Sequence, residues 1–149
     1  MARLSNWQNN LSALIIERRE VAFDFAHMNC MFWVADAVEA ITGEDFLAAY
    51  RGKFRTEKGA AKLLRKLDQV GTSQELLIKR FGELQPAAFA RMGDIVLVKP
   101  DETELDLPAD LELFGPVPGI CYGTISYFIG ENGLVEFETL RLGQAIWVS

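Results

Sequence analysis

The chain reads as one α+β domain with segregated layers, in which N-terminal helices pack on a small antiparallel sheet or open barrel. Three observations predict this. Cap residues and glycine stops cut roughly the first eighty residues into helix-sized pieces. From Gly93 onward the pattern changes to short apolar or β-branched runs divided by turn residues. The strand–helix–strand alternation of a parallel sheet is missing, and no linker separates the halves. A chain of 149 residues buries about two thirds of its unfolded surface in a single core, so residues 1–149 are taken as one domain. Its helical part covers about 5–82 and its sheet part about 91–149.

The elements follow in order. Ser5 with Gln8 has the form of a capping box, and Trp7, Leu11, Leu14 and Ile15 share one side of the helix it would open over residues 6–19. Residues 21–28 have no clean period and carry Phe23, Phe25 and His27, which suits a packed loop. Asn29 is a good N-cap for a helix over 30–41, and Thr42-Gly43 supplies the stop. The start of that helix is apolar almost all round, the signature of central burial. A short helix is expected over 44–50 and a loop over 51–55. Thr56 is placed to cap a helix over 57–67, and Ser73 one over 74–81. Strands are expected at 95–98, 119–122, 124–129, 134–137 and 145–148, with Gly130-Glu131-Asn132-Gly133 as a turn between two of them. Residues 101–110 are acidic and read as an exposed loop suited to docking on a partner.

Composition removes several function classes. A formal charge of −6 and a pI near 4.8 argue against a general nucleic-acid binder, which needs a basic surface to release counterions. No run reaches the ~18 apolar residues of a membrane span, and no export signal follows Met1. Cys30 and Cys121 are the only cysteines and lack the paired spacing of a zinc site. No metal, no cofactor and no disulfide is expected, and reduced cytosolic synthesis is the default.

Two stretches carry chemistry. Phe25-Ala26-His27-Met28-Asn29-Cys30-Met31-Phe32-Trp33 places a cysteine in the first turn of a helix, where the helix N-terminus favours a thiolate. Arg91-Met92-Gly93-Asp94-Ile95-Val96 and Val117-Pro118-Gly119-Ile120-Cys121-Tyr122-Gly123 then supply a Gly-Asp strand and a Gly-Ile-x-x-Gly strand. Taken in this order, the three motifs resemble the NlpC-type murein peptidases, a papain-like family that cleaves bacterial cell-wall peptides. The likeness runs from about Trp7 to Trp147 and extends to phage proteins of similar length, several of them encoded among tail genes.

The resemblance implies Cys30 as nucleophile, but the position of the family's catalytic histidine holds Val117. Asn29 stands where the family usually has aspartate, and bulky Met31, Phe32 and Trp33 replace small residues after the cysteine. The polar residue that orients the base maps either to Ile129 or to Glu136. The one histidine, His27, lies three residues before Cys30. Cys30 and His27 are therefore the candidate catalytic residues, as an unconventional dyad. The alternative makes Cys30 a buried core residue and His27 a loop side chain bonded to backbone or Asn29. Cys121 and the three tryptophans read as packing residues.

Lys58, Lys62 and Arg65 or Lys66 recur at helical spacing within a local excess of cations that includes Arg51, Lys53 and Arg55. They form either a solvated helix face or a dock for an acidic loop of an adjoining copy or neighbouring protein. The functional expectation, carried by the resemblance, is a phage tail structural or assembly protein near the tail tip or hub. Other tail proteins would be its partners, and it would be made in the bacterial host cytoplasm and housed in the virion tail. An active cysteine peptidase acting on cell-wall peptide, and a free host-interaction or inhibitor protein, are the alternatives.

Overall fold

The structure, a computed structural model, describes residues 2–99 and 115–149. The acidic stretch at 101–110 lies outside the described residues. Helix α1 spans Trp7–Arg18 and buries Leu11 and Ile15. The Ser5–Gln8 capping box does not form: the N-cap is Asn6, and it makes no side-chain cap bond. This end is fixed instead through tertiary contacts, the Leu4 amide donating to the Ile41 carbonyl at 2.8 Å.

Helix α2, Cys30–Thr42, matches its sequence signals closely because both of its stops are local. Asn29 accepts a hydrogen bond from the Phe32 amide at 2.9 Å and donates through its side chain to the Phe25 carbonyl at 2.8 Å. Gly43 closes the helix at φ +83°, a left-handed conformation suited to glycine. The short helix expected over 44–50 is absent; the segment forms successive turns. Asp45 offers its carboxylate to the Leu47 amide at 3.0 Å, a local bond that competes with helix formation. Helix α3, Glu57–Asp68, is capped by Thr56 as expected. Helix α4, Ser73–Phe81, is capped one residue earlier than expected, by Thr72.

Six antiparallel strands follow: β1 (Gln85–Pro86), β2 (Ile95–Val98), β3 (Val117–Tyr122), β4 (Ile125–Gly130), β5 (Gly133–Glu138) and β6 (Gln144–Ile146). Their order in the sheet is β1-β6-β2-β3-β4-β5. The tight turn at Glu131-Asn132 joins β4 to β5 with Gly130 opposite Gly133. Strand β1 and two 3₁₀ turns, Ala87–Phe89 and Thr139–Arg141, have no counterpart in the sequence reading.

The connectivity forces this sheet to curl. Strands β5 and β6 sit four positions apart, about 19 Å across a flat sheet. The link between Glu138 and Gln144 contains a 3₁₀ turn and reaches only about 16 Å. The two 3₁₀ turns, which follow strands on opposite edges, accordingly meet. Helix α2 packs on β3 and β4, α1 lies beside α2, and α4 reaches β6. The Trp33 indole donates to the Tyr127 carbonyl at 3.0 Å, tying the centre of this core to the sheet.

Both ends of the chain converge on one buried carboxylate. Asp94, fully buried at the start of β2, accepts from Arg3 at 3.0 Å, from the Val148 amide at 3.0 Å and from the Arg91 amide at 2.9 Å. The Gly-Asp pair thus acts as a clasp. The Gly119 of the following strand lies under the Phe128 ring: an added Cβ would sit 2.6 Å from two ring carbons and 2.7 Å from the Tyr127 carbonyl oxygen.

Two substitutions test these constraints by urea unfolding. Asp94→Ala takes from Arg3 its carboxylate, leaving it only carbonyl acceptors, and from the Arg91 and Val148 amides their acceptor, and is expected to cost about 3–5 kcal/mol. Gly119→Ala overpacks the strand and is expected to cost about 1–3 kcal/mol.

Candidate functional site

Cys30 opens α2 with its side chain turned into the protein, 2% exposed. Around it lies an apolar cavity of about 30 Å³. Phe32, Tyr50, Phe54, Leu64 and Leu76 contribute to its walls, so α3, α4 and the 46–54 segment all line the half-open space beside the buried thiol. That volume holds roughly two water molecules, far less than a peptide segment.

Burial decides the electrostatics. Desolvation pushes the Cys30 thiol up to about 12, although the backbone amides of Met31 and Cys30 at the helix start pull the other way. The helix N-terminus therefore acts in the direction a nucleophile needs and loses to the missing water. At pH 7 the thiolate fraction is on the order of 10⁻⁵.

His27 faces away from this chemistry. Its side chain is 76% exposed, its Nδ1 lies 3.2 Å from the Asp24 carboxylate, and it is not part of the cavity wall. Of the partners expected for His27, backbone or Asn29, the ring takes neither and pairs with the Asp24 carboxylate, while the Asn29 side chain is committed to Phe25 and Phe32. The 24–28 loop closes on itself through an Asp24–Met28 bridge, which turns the imidazole outward. Cys30 and His27 are near in sequence, yet the fold buries one and leaves the other in solvent.

The remaining positions add no base. Val117 is 1% exposed on β3 opposite Val98, and Ile129 is fully buried. Glu136 is exposed on the edge strand β5 and accepts from the Tyr127 hydroxyl at 3.4 Å. Cys121 is buried, with its sulfur 3.4 Å from the Gly123 carbonyl and 4.0 Å from the Thr139 hydroxyl. Among the described residues no group of three or more His, Cys, Asp or Glu is arranged to hold a metal ion, and no helix is long and apolar enough to cross a membrane.

Sequence reasoning missed the residues that hold the walls of the site together. Asp68 is buried on α3, where it accepts from the Tyr50 hydroxyl and from Arg80 at 2.7 Å, while Lys79 donates to its carbonyl at 2.5 Å. Burial raises the Asp68 pKa, but the bonds from Tyr50 and Arg80 outweigh it and hold the carboxyl below its ordinary value. Burial and the same bond push the Tyr50 hydroxyl upward. This latch joins the 46–54 segment, α3 and α4, all three of which wall the cavity. Only the presence of a tyrosine, an aspartate and two cations was visible beforehand; nothing local pairs them.

The fold and site thus define a small α+β domain with an occluded, unactivated cysteine. The chain belongs to the family described as Domain of unknown function (DUF6950), whose profile matches residues 2–148. No curated protein and no solved structure matches it.

Two measurements follow from the thiol's surroundings. Native protein treated with iodoacetamide at pH 8 should leave Cys30 unmodified on peptide mapping, with labelling appearing on unfolding. A thiol raised from 9.0 to about 12 stays protonated in the folded state while the unfolded thiol ionises. Stability should therefore fall as pH rises from about 9 toward 12. Cys30→Ala should remove that part of the alkaline slope in chemical denaturation.

Proposed function

We propose that this chain is a noncatalytic domain with a peptidase-like ancestry that serves as a structural or assembly component of a phage tail, near the tip or hub. The observation that carries the noncatalytic part is the buried Cys30, with a thiol pushed up to about 12 and the chain's sole histidine paired with Asp24 in solvent. Nucleophilic catalysis by cysteine needs an accessible thiolate and a base within hydrogen-bond reach. Here a valine holds the position that the resemblance assigns to the base. The tail assignment rests on the resemblance to tail-encoded phage proteins, and a rigid core with exposed loops is suited to such a role. Its partners are then other tail proteins within a multi-subunit assembly.

An active cell-wall peptidase is the competing reading, and it makes opposite demands. Digestion of purified muropeptides should show no product that depends on Cys30, wild type and Cys30→Ala being indistinguishable by chromatography. Cysteine-dependent cleavage would overturn the noncatalytic reading. Sedimentation of purified phage particles with detection of the chain tests the assembly role. Its absence from both tails and tail-assembly intermediates would refute that part.

A further inference from the structure

Two sets stand out among the cations of this chain. Arg3, Arg18, Arg51, Lys79, Arg80 and Arg91 each form an ion pair that clasps parts of the fold together. Arg51, counted at first with the local basic cluster, belongs here: it bridges Asp36 at 2.6 Å and Asp45 at 2.7 Å. Lys58, Lys62, Arg65 and Lys66 on α3 are different. All four are exposed, and among the described residues none has a carboxylate partner.

Their geometry makes a strip. At 100° per residue these positions fall within an arc of about 100°, roughly opposite the buried Ala60, Leu64 and Asp68. The strip is about 12 Å long, and exposed Lys53 and Arg55 precede the helix. No acid of α3 neutralises it: Glu57 lies on another side, and Asp68 is consumed by Tyr50 and Arg80. Lys58–Lys62 and Lys62–Lys66 are like-charge pairs at i,i+4, each a small standing cost. An anionic partner would relieve it.

The chemistry of that partner is narrowed by the rest of the chain. The strip carries no aromatic platform for bases. The apolar residues Ala60 and Leu64 are packed inward, which leaves no inserted face for a lipid surface. An acidic polypeptide fits better, and this sequence carries one. Asp101, Glu102, Glu104, Asp106, Asp110 and Glu112 occur without a single cation among them, and without them the chain's fifteen basic residues balance its remaining acids. The strip is turned away from α4, beside which the chain re-enters at Gly115 near Gln74, so a neighbouring molecule approaches it directly.

We infer that the cationic face of α3 is a docking surface for the acidic segment of a second copy of this chain. The inference goes beyond the tail reading and holds in any assembly that brings two copies together. Docking of this kind is expected to be steered by charge and to weaken with salt.

Sedimentation velocity on the full chain tests it with two variant sets. One reverses the strip (Lys58→Glu, Lys62→Glu, Lys66→Glu); the other neutralises the six acids as amides. Wild type should self-associate at low salt and dissociate at high salt, and each variant alone should associate at least tenfold more weakly. Mixing the two variants should restore a heterotypic complex, since one keeps the acids and the other keeps the strip. Circular dichroism melts confirm that both remain folded. A wild type that stays monomeric, association that survives strip reversal, or a mixture that fails to associate would each overturn the proposal. So would tighter binding of duplex DNA or phosphatidylserine vesicles to the strip.

Discussion

Ten of the thirteen residues of α2 are buried, and this is the constraint from which the rest of the structure follows. A helix packed on β3 and β4, flanked by α1 and lined at its N-terminal end by the 46–54 segment, keeps little of its surface in water. The burial that makes α2 a stable centre also removes water from Cys30. Each fully buried large side chain is worth roughly 1.5–3 kcal/mol, so Phe32, Trp33 and Val34 after the cysteine favour closure strongly. Those three residues leave little reason for the site to open.

Burial on this scale requires that each charge near the core be answered. Asp36, the one acid on the inner half of α2, is held by Arg18 at 2.5 Å and Arg51 at 2.6 Å. Asp68 is answered by Tyr50 and Arg80, and Asp94 by Arg3 and Arg91. The three carboxylates sit where elements meet: α1 with α2 and the following turn, α3 with α4, and the chain ends with β2. Isolated buried carboxylates would be costly, whereas hydrogen-bonded pairs fix which surfaces come together. Arg51 adds a stacking contact, its guanidinium 4.9 Å from the Phe32 ring centre. No buried side-chain polar atom among the described residues lacks a partner.

What was legible in the sequence was what is decided locally. Asn29 and Gly43 bracket α2 within their own turns, Thr56 caps α3, and Gly130 with Gly133 closes a hairpin, so these elements could be read directly. Strand β1 could not, since two residues ending in proline form a strand only because β6 lies alongside. The 44–50 segment was misread because its composition permits a helix and Asp45 prefers the turn. For the candidate site, the apolar start of α2 hinted at an occluded cysteine. Its walling by Phe54, Leu64 and Leu76 is a tertiary fact, and so is the outward turn of His27, which sequence proximity to Cys30 concealed.

The lack of a base beside Cys30 is consequently only part of what keeps its thiol inert. Bringing a thiol from about 12 to near neutrality requires some five pKa units, about 7 kcal/mol at roughly 1.4 kcal/mol per unit. An imidazole placed at Val117 would itself be buried, and desolvation would depress its basicity where a proton acceptor is required. Ion pairing between thiolate and imidazolium could recover part of the difference only if the cavity admitted water or a polar substrate. The apolar wall from α3 and α4 offers either of them almost no hydrogen-bond partner. The absence of a neighbouring base and the burial of the thiol are thus mutually consistent: a protonated, desolvated thiol gives a proton acceptor nothing to act on.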